Sequence, residues 1–259
     1  MIIKRDFIYT PKGKNRPLHI YLPDNYHETD ECYPVMYFFD GHNLFDDADA
    51  TYGKSWGMKA FLDEWSKNMI IVGIECGHEG PERLMEYLPY SADFAETGLT
   101  DYMGDVTLEW IIDEIKPMID SEYRTYPFRE CTGIGGSSMG GLMALYGVIH
   151  HNRWFSKGAC ISSAISFCME PLMRDIIMHR IDPDSRFYLS WGTKEAHGIR
   201  NVWEEDRSSY TYWNHKKVVD ELRSQEARVK MVCQVGGGHG EADWEKLVPD
   251  FMSYLWLED

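Results

Sequence analysis

The sequence predicts an α/β fold with a mostly parallel central sheet and helices on both of its faces. Short β-branched or aromatic runs alternate with longer amphipathic stretches along the chain. Several of these runs are apolar throughout, which is typical of strands that are covered on both faces. No linker rich in Pro, Gly or Ser and no internal repeat divides the 259 residues. A single domain over residues 1–259 is therefore expected.

The predicted strands mostly end in or beside Gly, Asp or Ser, which favour turns. In chain order they are residues 18–22, 35–40, 69–75, 132–137, 158–162, 187–191 and 229–235. Between and after the strands, apolar residues recur at helical spacing. These helical patterns cover residues 58–67, 105–121, 139–150, 210–224 and 241–257.

The charge of the chain excludes two classes of partner. With 26 Lys and Arg against 42 Asp and Glu, the formal net charge is −16. Binding to nucleic acid depends on neutralising phosphates with Lys and Arg, and an anionic membrane surface attracts the same cations. The longest apolar stretch near the middle, residues 69–74, is far too short to span a bilayer. Neither nucleic acid nor membrane is therefore an expected partner.

The N-terminus and the cysteines indicate the compartment. Lys4 and Arg5 interrupt the first residues, so the apolar core of a signal peptide is missing and a cytoplasmic location is expected. The 6 cysteines are widely scattered without a C-x-x-C pair, which favours reduced thiols. No H-E-x-x-H motif and no Cys/His cluster at ligand spacing is visible, so neither a metal nor another cofactor is expected.

Ser138 is the predicted nucleophile. It lies at the centre of Gly136-Ser137-Ser138-Met139-Gly140, which fits the pattern G-x-S-x-G between a predicted strand and a predicted helix. Such a sharp turn needs small residues two positions before and two after the serine. Ser137 does not fit, because Met139 stands two positions after it. The turn also aims the N-terminus of the next helix at the reaction centre, so the N–H of Met139 is the first predicted oxyanion donor.

His239 is the predicted base and Glu195 the predicted acid. A serine hydroxyl is a weak nucleophile and needs a base, usually a histidine held by a carboxylate. In serine hydrolases with this kind of sheet, the chain order is serine, acid, histidine. His239 follows the last predicted strand in a glycine-rich loop, and Glu195 comes just after the strand at 187–191. Four histidines in polar or helical surroundings are instead expected to face solvent: His150, His151, His179 and His215.

Other residues fit the catalytic roles less well. Asp182 and Asp184 precede the strand at 187–191 and so lie at its wrong end, while the acidic run at 204–206 is typical of a solvated face. A cysteine nucleophile is disfavoured because Cys131 and Cys160 fall in or beside predicted buried strands, where a thiol acts as a small hydrophobic group.

The loop around Gly41 is expected to supply the second oxyanion donor and to contact substrate. Gly41 permits an unusual backbone, and the N–H of His42, Asn43 or Leu44 could be the donor. The sequence does not choose among these three. Asn43 and Leu44 are taken as the predicted donors, and Gly41 and His42 as predicted substrate-binding residues. His42 precedes Ser138 in the chain, so the order of the motif argues against its being the catalytic base.

These segments resemble the esterase D-like branch of the α/β-hydrolase superfamily, a family of esterases that includes feruloyl, acetylxylan and tributyrin esterases and S-formylglutathione hydrolases. The matching segments are FDGHNLF at 39–45, ERLMEY at 82–87, GGSSMGG at 135–141, GTKE at 192–195, and His239 with Glu241 and Trp244. The resemblance implies an α/β-hydrolase fold and a serine esterase without a cofactor. It places the catalytic roles on Ser138, Glu195 and His239. Relatives often carry Gln at the position of His42 and Asp at that of Glu195.

The expected activity is that of a serine carboxylesterase for short acyl esters, acetyl to butyryl and open to feruloyl, of carbohydrates or other neutral alcohols. Residues 163–185, with a short helix around 171–180, are expected to form a small cap, which would leave the acyl site open and shallow. Two alternatives stay open: a thioesterase-type hydrolase such as S-formylglutathione hydrolase, and a carbohydrate-binding relative without activity. A homo-oligomer is compatible with the sequence.

Overall fold

The computed structural model describes residues 1–91, 101–199 and 201–258. Its strands are β1 (Ile2–Arg5), β2 (Ile8–Tyr9), β3 (Lys14–Asn15), β4 (Leu18–Tyr21), β5 (Val35–Phe39), β6 (Ile70–Ile74), β7 (Thr132–Ser137), β8 (Lys157–Ile161), β9 (Arg186–Gly192) and β10 (Arg228–Gln234). Eight of them form one sheet in the order β1-β4-β6-β5-β7-β8-β9-β10, and β2 pairs with β3 in a small hairpin.

The helices are α1 (Met58–Glu64), α2 (Glu82–Glu86), α3 (Gly104–Trp110), α4 (Lys116–Glu122), α5 (Met139–His150), α6 (Met169–Met178), α7 (Tyr210–Ser224), α8 (Glu241–Trp244) and α9 (Val248–Trp256). A π-helical turn at Ile111–Ile115 joins α3 to α4, and a 3-10 turn at Glu245–Leu247 joins α8 to α9. The helices predicted at 105–121 and 241–257 are therefore present, each with an interruption.

The pairing of the strands brings several loops to one edge. From β6 to β10 along the sheet, every neighbouring pair is parallel, whereas β1 and β4 are antiparallel additions at one side. The carboxyl ends of parallel strands meet at the same edge of a sheet, and ligands of open α/β sheets bind beyond that edge. The loops after β5, β6, β7, β8, β9 and β10 consequently surround one region.

Both faces of the sheet are buried, as predicted. Along β5, Val35 and Tyr37 pack into one hydrophobic cluster, while Met36 and Phe38 pack into the other. The first cluster includes α5, which is almost completely buried, and the second includes α9. Helices therefore cover the sheet on both sides.

The cap is small. Between β8 and β9 lie a 3-10 turn at Ile165–Phe167 and then α6, which begins at Met169 and lies close to the helix predicted at 171–180. Leu172 and Ile176 of α6 pack into the first hydrophobic cluster of the sheet. The cap therefore shares the core of the sheet and has none of its own.

Two further findings concern the chain as a whole. None of the helices in the described ranges has both the length and the apolar character needed to cross a bilayer. All six cysteines are free, as predicted, and Cys76, Cys160 and Cys168 are buried.

Candidate active site

Ser138 lies in a strained turn between β7 and α5. Its φ of 58° and ψ of −119° belong to a region that residues other than glycine rarely adopt. Two glycines allow this turn. A Cβ atom on Gly136 would lie 2.7 Å from the carbonyl carbon of Gly140, and one on Gly140 would lie 3.0 Å from Cβ of Phe39. The G-x-S-x-G spacing thus has a direct steric reason in this structure.

Glu195 and His239 meet at the same edge of the sheet. Glu195 follows β9, and His239 lies in the loop after β10. Nδ1 of His239 is hydrogen bonded to Oε2 of Glu195. Because that nitrogen is occupied, Nε2 is the ring nitrogen left for proton transfer. The side chain of Glu195 is only 12% exposed, whereas that of His239 is 45% exposed, so the acid is buried behind an accessible imidazole.

The second carboxylate oxygen of Glu195 also has hydrogen-bond partners. Oε1 accepts hydrogen bonds from the backbone N–H of Gly192 and from the hydroxyl of Ser162, the latter at 2.6 Å. Burial by itself would raise the pKa of Glu195, but the hydrogen bonds from His239, Ser162 and Gly192 outweigh it and lower that pKa. Glu195 therefore stays ionised near neutral pH.

Ser162 and Trp244 contact the Glu195–His239 pair, and no role was predicted for either of them from the sequence. Ser162, directly after β8, has a φ of 43° and donates its hydroxyl hydrogen to Glu195. The same hydroxyl oxygen accepts a hydrogen bond of 2.9 Å from Nε1 of the buried Trp244. The ring of Trp244 also packs edge-on against that of His239, with 5.1 Å between the ring centroids. Trp244 thus contacts His239 directly and Glu195 only through Ser162.

Ser162→Ala tests this support. A hydrogen bond to a charged group contributes about 1.5–3 kcal/mol, so kcat is expected to fall by roughly 10- to 100-fold with little change in KM. Since the hydroxyl helps to lower the pKa of Glu195, that pKa should rise in the variant. Activity should then be lost at a higher pH than in the wild type as the pH is lowered. The measurement is kcat as a function of pH.

Ser163→Ala is the control, because the Ser163 hydroxyl has no hydrogen-bond partner in the described ranges. Identical pH profiles for both variants would contradict the role of Ser162.

One predicted oxyanion donor, the N–H of Met139, lies next to Ser138 in the backbone. Met139 is the first residue of α5, and the first N–H groups of a helix have no partner within it. In the loop after β5, by contrast, the N–H groups predicted as donors already have hydrogen-bond partners. Within its 3-10 turn, Asn43 N–H donates to the Asp40 carbonyl at 2.9 Å, and Leu44 N–H donates to the Gly41 carbonyl at 3.3 Å. These bonds count against the donor role predicted for Asn43 and Leu44, because each amide would first have to lose its present partner.

Two clefts share Ser138 and His239. The first has a volume of about 470 Å³ and a polar lining that includes Asp40, His42 and Arg83. The second has a volume of about 460 Å³ and includes Ala164, Phe167 and Trp191 in its lining. A substrate bound at Ser138 can therefore extend in two directions, one polar and one more apolar.

The first cleft contains an ion pair next to the nucleophile. Arg83 donates to both carboxylate oxygens of Asp40, at 2.7 and 2.8 Å. Glu241 also lines this cleft, and burial raises its pKa above the ordinary value. His42 lines the cleft as well. Gly41 has a packing role, since a Cβ atom there would lie 2.3 Å from the carbonyl carbon of Gly73 in β6.

One prediction about the histidines is wrong. His215, expected to face solvent, is 2% exposed, and its ring packs against that of Trp191 with 4.6 Å between centroids. Burial lowers the pKa of His215 to about 4, so it is neutral at ordinary pH. Helix α7 looked exposed from its many polar residues, but His215 lies on the face that packs under the second cleft.

The rival acids lie in other surroundings. Asp182 and Asp184 each form an ion pair with Arg129. In the acidic run at 204–206, Glu205 pairs with Arg207 at the surface. Asp182, Asp184 and Glu205 are thus paired with arginines and not with His239.

Comparison with known proteins agrees with this fold. Residues 11–255 match the family described as Putative esterase. The uncharacterized protein YbbA of Bacillus subtilis (strain 168) is 28% identical over 195 residues, which cover 74% of this chain and 73% of YbbA. Esterase Rv1288 of Mycobacterium tuberculosis (strain ATCC 25618 / H37Rv) is 28% identical over 235 residues, which cover 90% of this chain but only 45% of Rv1288.

A solved structure extends the comparison. The IroE-like serine hydrolase from Shewanella oneidensis superimposes with a TM-score of 0.75 at 18% identity, covering 97% of this chain and 79% of that one. This likeness confirms the predicted α/β-hydrolase fold. Because the family match extends over almost the whole sequence, the chain belongs to the Putative esterase family.

Proposed function

We propose that this protein is a serine carboxylesterase that forms its acyl-enzyme on Ser138. The observation that carries the proposal is the buried Glu195 hydrogen bonded to Nδ1 of His239, with His239 and the strained Ser138 lining the same clefts. A nucleophile, a base and an acid that orients the base are the groups that acyl transfer needs. Family membership supports an ester as the substrate.

The reaction proceeds in two halves. Nε2 of His239 takes the proton of the Ser138 hydroxyl as the oxygen attacks the ester carbonyl carbon, and then gives that proton to the leaving alcohol. Water, deprotonated by the same nitrogen, then attacks the acyl-enzyme and releases the acid. Glu195 holds the imidazole in the tautomer with hydrogen on Nδ1 and stabilises the imidazolium that forms in each half.

The oxyanion is stabilised by two backbone N–H groups in this proposal. Met139 supplies the first from the N-terminus of α5. The N–H of His42 is the better candidate for the second donor. The turn hydrogen bonds occupy the N–H groups of Asn43 and Leu44, which come after His42 in the chain, and His42 also lines the first cleft. His42 is one of the three residues whose N–H the sequence allows as this donor.

The proposed substrates are short acyl esters of neutral, hydroxyl-bearing alcohols. The polar first cleft, with Asp40, Arg83 and Glu241, offers hydrogen-bond partners for such an alcohol. Within the described residues, the segment predicted as a cap forms no apolar core of its own that could enclose a long acyl chain. The net charge of −16 would repel a polyanion but not a neutral sugar.

A serine-reactive organophosphonate tests the proposal. The expected result is one label per chain, located on Ser138 by mass spectrometry, and no label on Ser138→Ala. If the protein hydrolyses esters but takes no label on Ser138, the proposed acyl-enzyme is refuted. A protein that is neither labelled nor active would instead be the carbohydrate-binding alternative. Turnover of S-formylglutathione well above that of acetylated xylan, methyl ferulate and p-nitrophenyl esters would favour the thioesterase alternative.

Acyl-chain length should strongly affect the rate. For p-nitrophenyl esters, kcat/KM is expected to be highest at acetyl to butyryl and to fall for longer acyl groups, because α6 adds no apolar core that could enclose them. The measurement is kcat/KM for acyl chains from two to twelve carbons, at concentrations below micelle formation. A maximum at eight carbons or more would contradict the short-acyl assignment while leaving the esterase itself in place.

A further inference from the structure

Three side chains with metal-binding atoms meet at the edge of the first cleft. They are His42, Cys76 and His78, and one ligand atom of each lies within 4.8 Å of the others. All three line the cleft that contains Ser138. None of them takes part in proton transfer in the mechanism above, so their arrangement calls for its own explanation.

The fold brings these side chains together from two loops. His42 lies in the turn after β5, and Cys76 and His78 lie in the loop after β6. Strands β5 and β6 are parallel neighbours, so the loops that follow them lie side by side. Because the backbones of Gly41 and Gly73 approach each other closely, the turn that contains His42 lies next to the end of β6. Ligands separated by more than thirty positions in sequence thereby become adjacent.

His42 presents an unsatisfied nitrogen. The residue is 8% exposed, and its Nδ1 has no hydrogen-bond partner within the described ranges. Its Nε2 lies 2.9 Å from the hydroxyl oxygen of Thr51. If Nε2 carries the hydrogen and donates it to Thr51, Nδ1 keeps a free lone pair. A buried polar atom without a partner is costly, and a bound cation would satisfy it.

His78 is oriented by a carboxylate, as metal-binding histidines usually are. Its Nε2 lies 3.1 Å from Oε2 of Glu75, whose other oxygen is 2.6 Å from Nε2 of His19. Because a carboxylate oxygen accepts, this contact with Glu75 places the hydrogen of His78 on Nε2 and leaves Nδ1 as the ligand atom.

We propose that His42, Cys76 and His78 form a binding site for Zn²⁺ inside the active-site cleft. Two imidazole nitrogens and one thiolate are a ligand set that zinc prefers, and the fourth position would stay open to the cleft. This inference rests on the proposed function only for its consequence, which is that zinc and ester compete for one space. Zinc would therefore act as a reversible inhibitor of the hydrolase.

Zinc binding is coupled to the release of one proton. Cys76 is buried, and burial favours the neutral thiol over the thiolate when no metal is bound. Formation of the zinc–sulfur bond breaks the S–H bond, and that proton passes to the solvent. The heat of zinc binding should consequently change with the ionisation enthalpy of the buffer.

Cobalt substitution tests the site without any reference to activity. Titration of the full chain with Co²⁺ is expected to give one ion per chain, a sulfur-to-cobalt charge-transfer band in the near ultraviolet and intense tetrahedral bands in the visible. Cys76→Ala should remove the charge-transfer band, and His78→Ala should weaken binding by about 10- to 100-fold. Cys168→Ala, which removes another buried thiol, and Ser138→Ala should both bind as the wild type does. Absence of a stoichiometric cobalt–thiolate spectrum, or its persistence in Cys76→Ala, would overturn the proposal.

Kinetics with Zn²⁺ test the consequence. Micromolar Zn²⁺ should lower ester hydrolysis by the wild type and by Cys168→Ala, a chelator should restore it, and Cys76→Ala should resist inhibition at the same concentrations. Equal inhibition of Cys76→Ala would place the inhibitory ion elsewhere, for example on His239. If no variant hydrolyses esters, the proposed function fails, while the cobalt spectrum still decides the metal site.

Discussion

Ser138→Ala is expected to lower kcat/KM for ester hydrolysis by about 10⁵- to 10⁶-fold, because the variant has no oxygen to form the acyl-enzyme. The residual rate would come from the oxyanion donors and from substrate binding. The fold should be preserved, since the Ser138 side chain makes no capping hydrogen bond to α5 and the substitution removes one half-buried atom. Steady-state kinetics and thermal unfolding of both proteins are the measurements.

Ser137→Ala is the matched control for this experiment. Ser137 is the last residue of β7 and is buried, so its hydroxyl is close to the reaction centre in sequence without being the nucleophile. It should keep most of the activity. If Ser137→Ala were inactive and Ser138→Ala active, the assignment of the turn would be wrong.

Glu195→Gln is the second substitution with a very large expected effect. The glutamine is isosteric, and its carbonyl oxygen can still accept from Gly192 and Ser162. It cannot, however, stabilise a positive charge on His239, and it favours the wrong tautomer. We expect kcat to fall by about 10³- to 10⁴-fold with a small change in KM, since the charge develops only in the transition state.

Two further variants make this result specific. Glu204→Gln changes the charge by the same amount in the neighbouring surface run and should leave kcat near the wild-type value. Glu195→Asp keeps the charge but shortens the side chain by one methylene, so it should retain more activity than Glu195→Gln. A fully active Glu195→Gln beside an inactive Glu204→Gln would move the acid to the run at 204–206.

Much of the fold could be predicted because its core strands have a strong pattern. The strand ending at Ser137 and the helix beginning at Met139 match the prediction at both ends of the turn. Among the elements that were missed, β2 and β3 have only two residues each. Strand β1 (IIKR) and helix α2 (ERLME) are short and rich in charged residues, so they lack the apolar run that identified β4 and β5. The single-domain arrangement, a cytoplasmic location and the oligomeric state stay predictions.

The candidate site could be predicted in part for a different reason. Ser138, Glu195 and His239 each follow a strand, and parallel strands deliver their ends to a common edge, so chain order and topology are enough to group them. The contacts of Ser162 and Trp244, and the grouping of Cys76 with two histidines, depend on which side chains face one another across that edge. That information lies in the three-dimensional packing. The bonds that occupy the amides of Asn43 and Leu44 are likewise a property of the turn and not of its composition.

The hydrogen bond from Trp244 to Ser162 has a consequence for biosynthesis. Ser138, Ser162 and Glu195 leave the ribosome well before α8, yet the acid is fully held only after Trp244 has docked. Trp244 packs in the same hydrophobic cluster as Phe251 of α9. A nascent chain that already contains the serine would thus hydrolyse esters more slowly than the finished protein until its last helices are in place. Full esterase activity during translation would report completion of the chain rather than synthesis of its nucleophile.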